Sequence, residues 1–131
     1  MKTEPVKPRL LITEDNEENR KFLEVYLQKT FELNFCDSAE SFYECLNSEH
    51  FDVILMDISL NGDKDGLELT RELRSNPKFS DIPVICYTAH VLQQDRFNAL
   101  EAGCDLYMTK PSDTKILLDS LLSVLSKKKR K

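Results

Sequence analysis

The run Asp52-Val53-Ile54-Leu55-Met56, apolar after its first residue, ends in a lone carboxylate, Asp57. Three other runs end in comparable fashion. Arg9-Leu10-Leu11-Ile12-Thr13 delivers Glu14 and Asp15, Asp105-Leu106-Tyr107-Met108-Thr109 delivers Lys110 and Pro111, and Pro83-Val84-Ile85-Cys86-Tyr87 ends at Thr88. Apolar runs rich in β-branched residues read as strands buried on both faces of a sheet. A charge at the end of such a strand is costly unless it lies in a crevice, where open α/β sheets place their ligands. Three carboxylates, a hydroxyl and an ammonium are therefore expected at one edge of one sheet.

The chemistry of that set is specific. Glu14, Asp15 and Asp57 in one crevice repel one another and raise each other's pKa, which destabilises the metal-free fold. A hard divalent cation relieves the repulsion, and Mg²⁺ takes one or two carboxylates together with waters and phosphate oxygens. With the ion in place, Asp57 is a carboxylate nucleophile toward phosphorus. Lys110 and Thr88 complement the ion around the phosphoryl oxygens, because phosphoryl transfer rests on positioning and charge neutralisation. The product is an aspartyl phosphate, a mixed anhydride open to hydrolysis.

Helical patterns separate the strands. The first runs from about Glu17 to Thr30, capped by Asn16 or Asp15, with Phe22, Leu23, Tyr26 and Leu27 as its apolar stripe. Leu33–Cys36 forms a second strand, and Ser38 opens a helix to about Asn47 with Phe42, Cys45 and Leu46 inward. After Asp57 a polar loop, Ile58 to Gly66, leads into a helix from about Leu67 to Ser75, closed by Asn76-Pro77. A helix from about Val91 to Ala102 stops at Gly103, and a last one spans about Asp113 to Ser126 with Ile116, Leu117, Leu121, Leu122 and Leu125 on one side. Five βα units result, and crossovers of this length make parallel, right-handed connections. The expected architecture is an α/β three-layer sandwich.

Bulk properties narrow the function. At 131 residues the chain is one domain, and 40% hydrophobic with 31% charged residues is ordinary for a folded protein. Residues 1–8 read as a flexible lead-in, 9–126 as the domain and 127–131 as a basic tail. A net charge of −5 argues against specific nucleic-acid binding. No apolar stretch is long enough for membrane insertion, and Met1–Pro5 lacks a secretory core, so the expected location is cytoplasmic. Cys36, Cys45, Cys86 and Cys104 are too scattered for a zinc site, and Cys36 and Cys86 read as core residues. His50 and His90 read as exposed, and the tail Lys127–Lys131 as a solvated run suited to a helix C-terminus.

At Glu14-Asp15, Leu55-Met56-Asp57, Tyr87-Thr88-Ala89-His90 and the stretch Glu101 to Pro111, the sequence resembles the receiver domain of two-component response regulators. The resemblance covers about residues 9–126, and the order and spacing of the motifs make it specific. It implies a flavodoxin-like (βα)5 sheet of order 2-1-3-4-5. It also implies Asp57 as phosphoacceptor, supplied by a histidine kinase or histidine phosphotransfer protein. Mg²⁺, with Mn²⁺ as the alternative ion, would be held by Asp15, Asp57 and the backbone carbonyl of Ser59, with help from Glu14. Lys110 would pair with the phosphoryl group, and its bond to Pro111 would be cis. Thr88 and Tyr107 would act as the switch, reshaping the face made by the fourth helix, fifth strand and fifth helix for a downstream protein target. Two departures stand out. Asn61 replaces a common proline, and Asp65-Gly66 arrive one residue late, so a longer and more mobile loop is expected after Asp57. Glu14 stands where aspartate is common.

Rival readings fare worse. A phosphoaspartate-forming phosphatase of the haloacid dehalogenase type needs a second carboxylate two residues after the nucleophile, where this chain has Ser59. A flavodoxin-like cofactor binder needs glycines and hydroxyls in its first loop, whereas Thr13-Glu14-Asp15-Asn16 offers two negative charges. A degenerate receiver that only binds partners would lack site residues that are all present here. Whether the receiver stands alone or comes from a hybrid kinase or larger regulator is left open by these residues.

Overall fold

The computed structural model describes residues 7–58, 64–89, 92–110 and 113–129. Strands β1 (Arg9–Thr13), β2 (Glu32–Cys36), β3 (Val53–Met56), β4 (Val84–Thr88) and β5 (Leu106–Thr109) alternate with helices. These are α1 (Glu17–Leu27), α2 (Ala39–Ser48), α3 (Gly66–Ser75), α4 (Gln93–Ala102) and α5 (Thr114–Lys129). The sheet is parallel throughout, in the order β2-β1-β3-β4-β5. This is the expected flavodoxin-like order.

Side chains of the inner strands alternate between two cores, as the period of two requires. Leu10, Ile12, Val53, Leu55 and Ile85 pack with Leu23 and Leu27 of α1 and Leu117 and Leu121 of α5. Leu11, Ile54, Met56, Val84 and Cys86 pack on the other face with Phe42 of α2, Leu69 and Leu73 of α3, and Ala99 of α4. Every residue of β3 is buried, so the strand that delivers Asp57 is held on both faces.

Local chemistry sets the helix ends. Asn16 caps α1 by accepting from the Asn19 amide, and Ser38 with Ser41 forms a capping box on α2. Asp65 and Glu68 do the same for α3. Gly103, at φ 117°, ends α4, and a Cβ there would also lie 2.6 Å from the Arg74 side chain.

Two apolar stripes differ from the expected ones. On α1, Leu23 and Leu27 are buried, whereas Phe22 and Tyr26 are 53% and 46% exposed and meet as a tilted pair with ring centroids 5.5 Å apart. The helix offers the sheet one narrow i, i+4 row, and their neighbours one position earlier lie about 100° around the axis. On α5 the buried row is Leu117, Leu121, Val124 and Leu125, leaving Ile116 and Leu122 at 56% and 41% exposure. α1 ends at Leu27, short of Thr30, and α5 runs through Lys127 to Lys129, so part of the expected tail is helix. Cys36 and Cys86 are buried, as expected, and Cys45 is only half-buried. His50 is exposed beside Asp52, while His90 and Val91 lie outside the described residues.

Phe42→Ala should cost about 3–5 kcal/mol in urea denaturation, because a fully buried ring leaves a cavity. Phe22→Ala should change stability by no more than about 0.5 kcal/mol.

Candidate functional site

The sheet brings the expected residues to its C-terminal edge. β1 and β3 are neighbours, with Ile12 opposite Leu55, so Glu14 and Asp57 leave adjacent strands side by side. β4 flanks β3 on the other side and ends at the fully buried Thr88. The Lys110 amide donates to the Thr88 carbonyl at 2.8 Å, which carries the lysine from β5 back toward the centre of the sheet.

Lys110 organises the charges. Its Nζ donates to Glu14 Oε1 at 2.5 Å and to Asp57 Oδ2 at 2.9 Å, and it lies 5.5 Å from the Tyr87 ring centroid. Side-chain exposure is only 3% for Glu14, 9% for Asp57 and 16% for Lys110. Burial pushes the Lys110 pKa down, but its hydrogen bonds to Glu14 and Asp57 and their charges more than offset this, leaving it above the ordinary lysine value. The lysine is thus an ammonium at neutral pH. Two carboxylates against one ammonium leave the ionised triad at −1, a negative pocket with a preformed cation on one side. The second Glu14 oxygen accepts from the Asn16 amide at 3.2 Å, tying the site to the start of α1.

Asp15 follows Glu14 and is exposed, and Tyr107 is buried with Cys86, Ala99 and Cys104. Ser59, Asn61, the whole loop 59–63 and Pro111 lie outside the described residues, and with them the expected carbonyl ligand, loop mobility and cis bond. Of the three expected carboxylates, Glu14 and Asp57 meet on Lys110. Among the described residues no three His, Cys, Asp or Glu side chains are gathered as a metal-holding group. The buried Lys110 ammonium between Glu14 and Asp57 offsets their mutual repulsion. The donor chemistry still fits Mg²⁺, which needs only one or two hard carboxylates and fills its sphere with water or phosphate oxygens.

Two residues that the sequence reading gave no role hold Asp57 in place. The Asp57 amide donates to Thr13 Oγ1 at 2.8 Å, and that buried hydroxyl lies 3.5 Å from Met56 Sδ. Gly66, at the first turn of α3, lies so close that an added Cβ would be 2.2 Å from the Asp57 carbonyl oxygen. Only glycine permits that approach. Its amide also donates to the Ile58 carbonyl at 3.0 Å. The signal for Gly66 was present in the sequence as a glycine straight after a capping Asp65. For Thr13, nothing distinguished it from any other strand threonine. A cavity of about 410 Å³ opens beside the triad, lined by Glu14, Asn19, Phe22, Leu23, Tyr87, Ala89 and Lys110.

Lys110→Met should destabilise the metal-free protein by about 3–5 kcal/mol, since it strands two buried carboxylates. Asp57→Asn should leave stability unchanged or raised, because it removes one charge of the excess sign. Urea denaturation in chelator measures both, and equal losses in the two variants would contradict the charge balance.

Comparison with known proteins agrees with this geometry. The model of the response regulator receiver domain matches residues 10–122. The polar-differentiation response regulator DivK of Brucella ovis is 31% identical over 117 residues, covering 88% of this chain and 94% of DivK. The transcriptional regulatory protein GltR of Pseudomonas aeruginosa is 32% identical over 117 residues, and there the chain spans about half the relative, 48% of its length. Among solved structures, the receiver domain of the sensor histidine kinase PA1611 from Pseudomonas aeruginosa PAO1, which has a magnesium ion in its active site cleft, matches with a TM-score of 0.83 and 30% identity over 92% of this chain and 99% of that one. Match length, sheet order and strand-end chemistry converge: the chain belongs to the response regulator receiver domain family, the phospho-accepting switches of two-component systems.

Proposed function

We propose that Asp57 is the phosphoacceptor of this switch, taking its phosphoryl group from a histidine kinase or histidine phosphotransfer protein in a Mg²⁺-dependent reaction. The observation that carries the reading is a buried carboxylate at the end of β3 with an ammonium 2.9 Å from its oxygen. An Asp57 oxygen attacks phosphorus, the P–N bond to the donor imidazole breaks, and the electron pair leaves with the imidazole. Hydrolysis of the acyl phosphate returns the carboxylate and inorganic phosphate, so the protein is a self-resetting acceptor and not a turnover enzyme. Lys110 neutralises charge on the phosphoryl oxygens once its bond to Asp57 is exchanged for one to the phosphoryl group. Asp15, Asp57 and the Ser59 carbonyl would hold the ion, with Glu14 assisting. When bound, Mg²⁺ (or Mn²⁺) supplies positive charge that screens the acidic pocket from the incoming anion.

Thr88, at the buried end of β4, is the hydroxyl that would follow the phosphoryl group, and Tyr107 is the aromatic partner of that movement. Tyr107 is already buried in this structure. Exposed apolar side chains stand on both helices that frame the α4–β5–α5 face, Phe97 and Leu100 on α4 and Ile116 and Leu122 on α5, which supports it as a surface offered to a downstream protein. Among the described residues no helix is long and apolar enough to cross a membrane, which is compatible with the cytoplasmic reading. The alternative, a phosphoaspartate-forming hydrolase, is not favoured by the family match.

Incubation with acetyl phosphate and Mg²⁺ should add one phosphoryl group to the wild type by intact mass and none to Asp57→Asn. Full labelling of the variant would mean a different acceptor. Mg²⁺ alone should raise the melting temperature, with stabilisation approaching about 2.7 kcal/mol at a hundredfold excess over Kd. Asp15→Asn should weaken that response, and indifference of the wild type to Mg²⁺ would remove the ion from the mechanism.

A further inference from the structure

Tyr43 on α2 donates its hydroxyl to Glu72 Oε1 on α3. The other Glu72 oxygen takes Lys64 Nζ at 2.6 Å, and the same ammonium lies 5.9 Å from the Tyr43 ring centroid. The three side chains close a triangle between α2, α3 and the chain that enters α3. Their charges are tuned by the contact, since the hydrogen bonds from Lys64 and Tyr43 hold the Glu72 carboxyl below its ordinary value. Lys64 stands two residues before Gly66, the residue pressed most closely against the Asp57 carbonyl. Between them Asp65 caps α3, and from within the helix the Thr70 hydroxyl donates to the Gly66 carbonyl at 2.8 Å.

An isolated exposed ion pair contributes little to stability. This one holds Lys64, two residues before the glycine of α3 that approaches the Asp57 carbonyl. Phosphoryl transfer depends on the nucleophile being held in line, and small displacements slow it severalfold. We infer that Tyr43, Glu72 and Lys64 form a latch that positions Asp57 through Gly66, making them positioning residues for the phosphoryl transfer. The inference rests on the reading of Asp57 as the acceptor. The latch fixes the entry to α3 from two directions, along α3 through Glu72 and across to α2 through Tyr43. Asp57 is then clamped on both sides of its backbone, by Thr13 at the amide and by Gly66 at the carbonyl.

The test uses the full chain with Tyr43→Phe, Lys64→Met, the conservative Lys64→Arg, and the Tyr43→Phe/Lys64→Met double variant. Three quantities are followed: the rate of phosphoryl uptake from acetyl phosphate with Mg²⁺, the melting temperature, and the amide shifts of Asp57 and Gly66 in ¹H–¹⁵N spectra. Tyr43→Phe and Lys64→Met should each slow uptake by roughly threefold or more, move both amide signals and leave melting unchanged. Lys64→Arg should keep the wild-type rate, and the double variant should be no slower than the slower single, as expected for parts of one unit. Wild-type rates with unmoved amide signals in the single variants would overturn the latch. So would rate losses that multiply in the double variant, or losses that track melting and are not rescued by arginine. A wild type that takes up no phosphoryl group would overturn the acceptor reading instead, with the amide signals still deciding the latch.

Discussion

A buried ammonium between two buried carboxylates is the interaction on which the rest of the site depends. Lys110 reaches from β5 to meet Glu14 from β1 and Asp57 from β3, so one cation joins three strands across the crevice. Without it, two negative charges would face each other with almost no solvent to screen them. With it, the pocket is stable, still negative, and primed for a second cation and an incoming anion. On the proposed reading, the lysine that stabilises the resting fold is also the one that changes partner on phosphorylation. The contact is built from residues far apart in sequence.

The backbone around Asp57 is held on both sides. Thr13 takes its amide proton, and α3 approaches closely enough at Gly66 that no side chain could stand between. Asp65 and Glu68 cap the helix at that point, so helix initiation and site geometry are one structural event. The Gly66 amide closes back onto the Ile58 carbonyl, bracketing the segment after the nucleophile.

Much of this was legible beforehand because buried parallel strands announce themselves. β1 and β3 were recognisable as apolar runs, and each was followed by charge that a sheet interior cannot accept. Asn16, Ser38 and Gly103 marked helix ends through capping chemistry that acts over three or four residues. The helix faces were less legible. Phe22 and Leu23 are adjacent and both apolar, and only the position of the sheet decides that Leu23 is buried and Phe22 faces solvent. The same holds for Leu122 against Val124 on α5, where an apolar surplus allowed two rotations of one helix.

The sequence by itself determined the strand–helix alternation, the identity of the charged residues at the strand ends, and the chemistry those groups can support. These depend on local periodicity and on the cost of burying charge, both properties of short segments. Only the tertiary structure decided which charges meet. It set Lys110 between Glu14 and Asp57, and it recruited Thr13 and Gly66 against the Asp57 backbone. The reason is physical. Contacts between residues 44, 53 or 96 positions apart follow from strand order and register, which emerge only when the whole core packs.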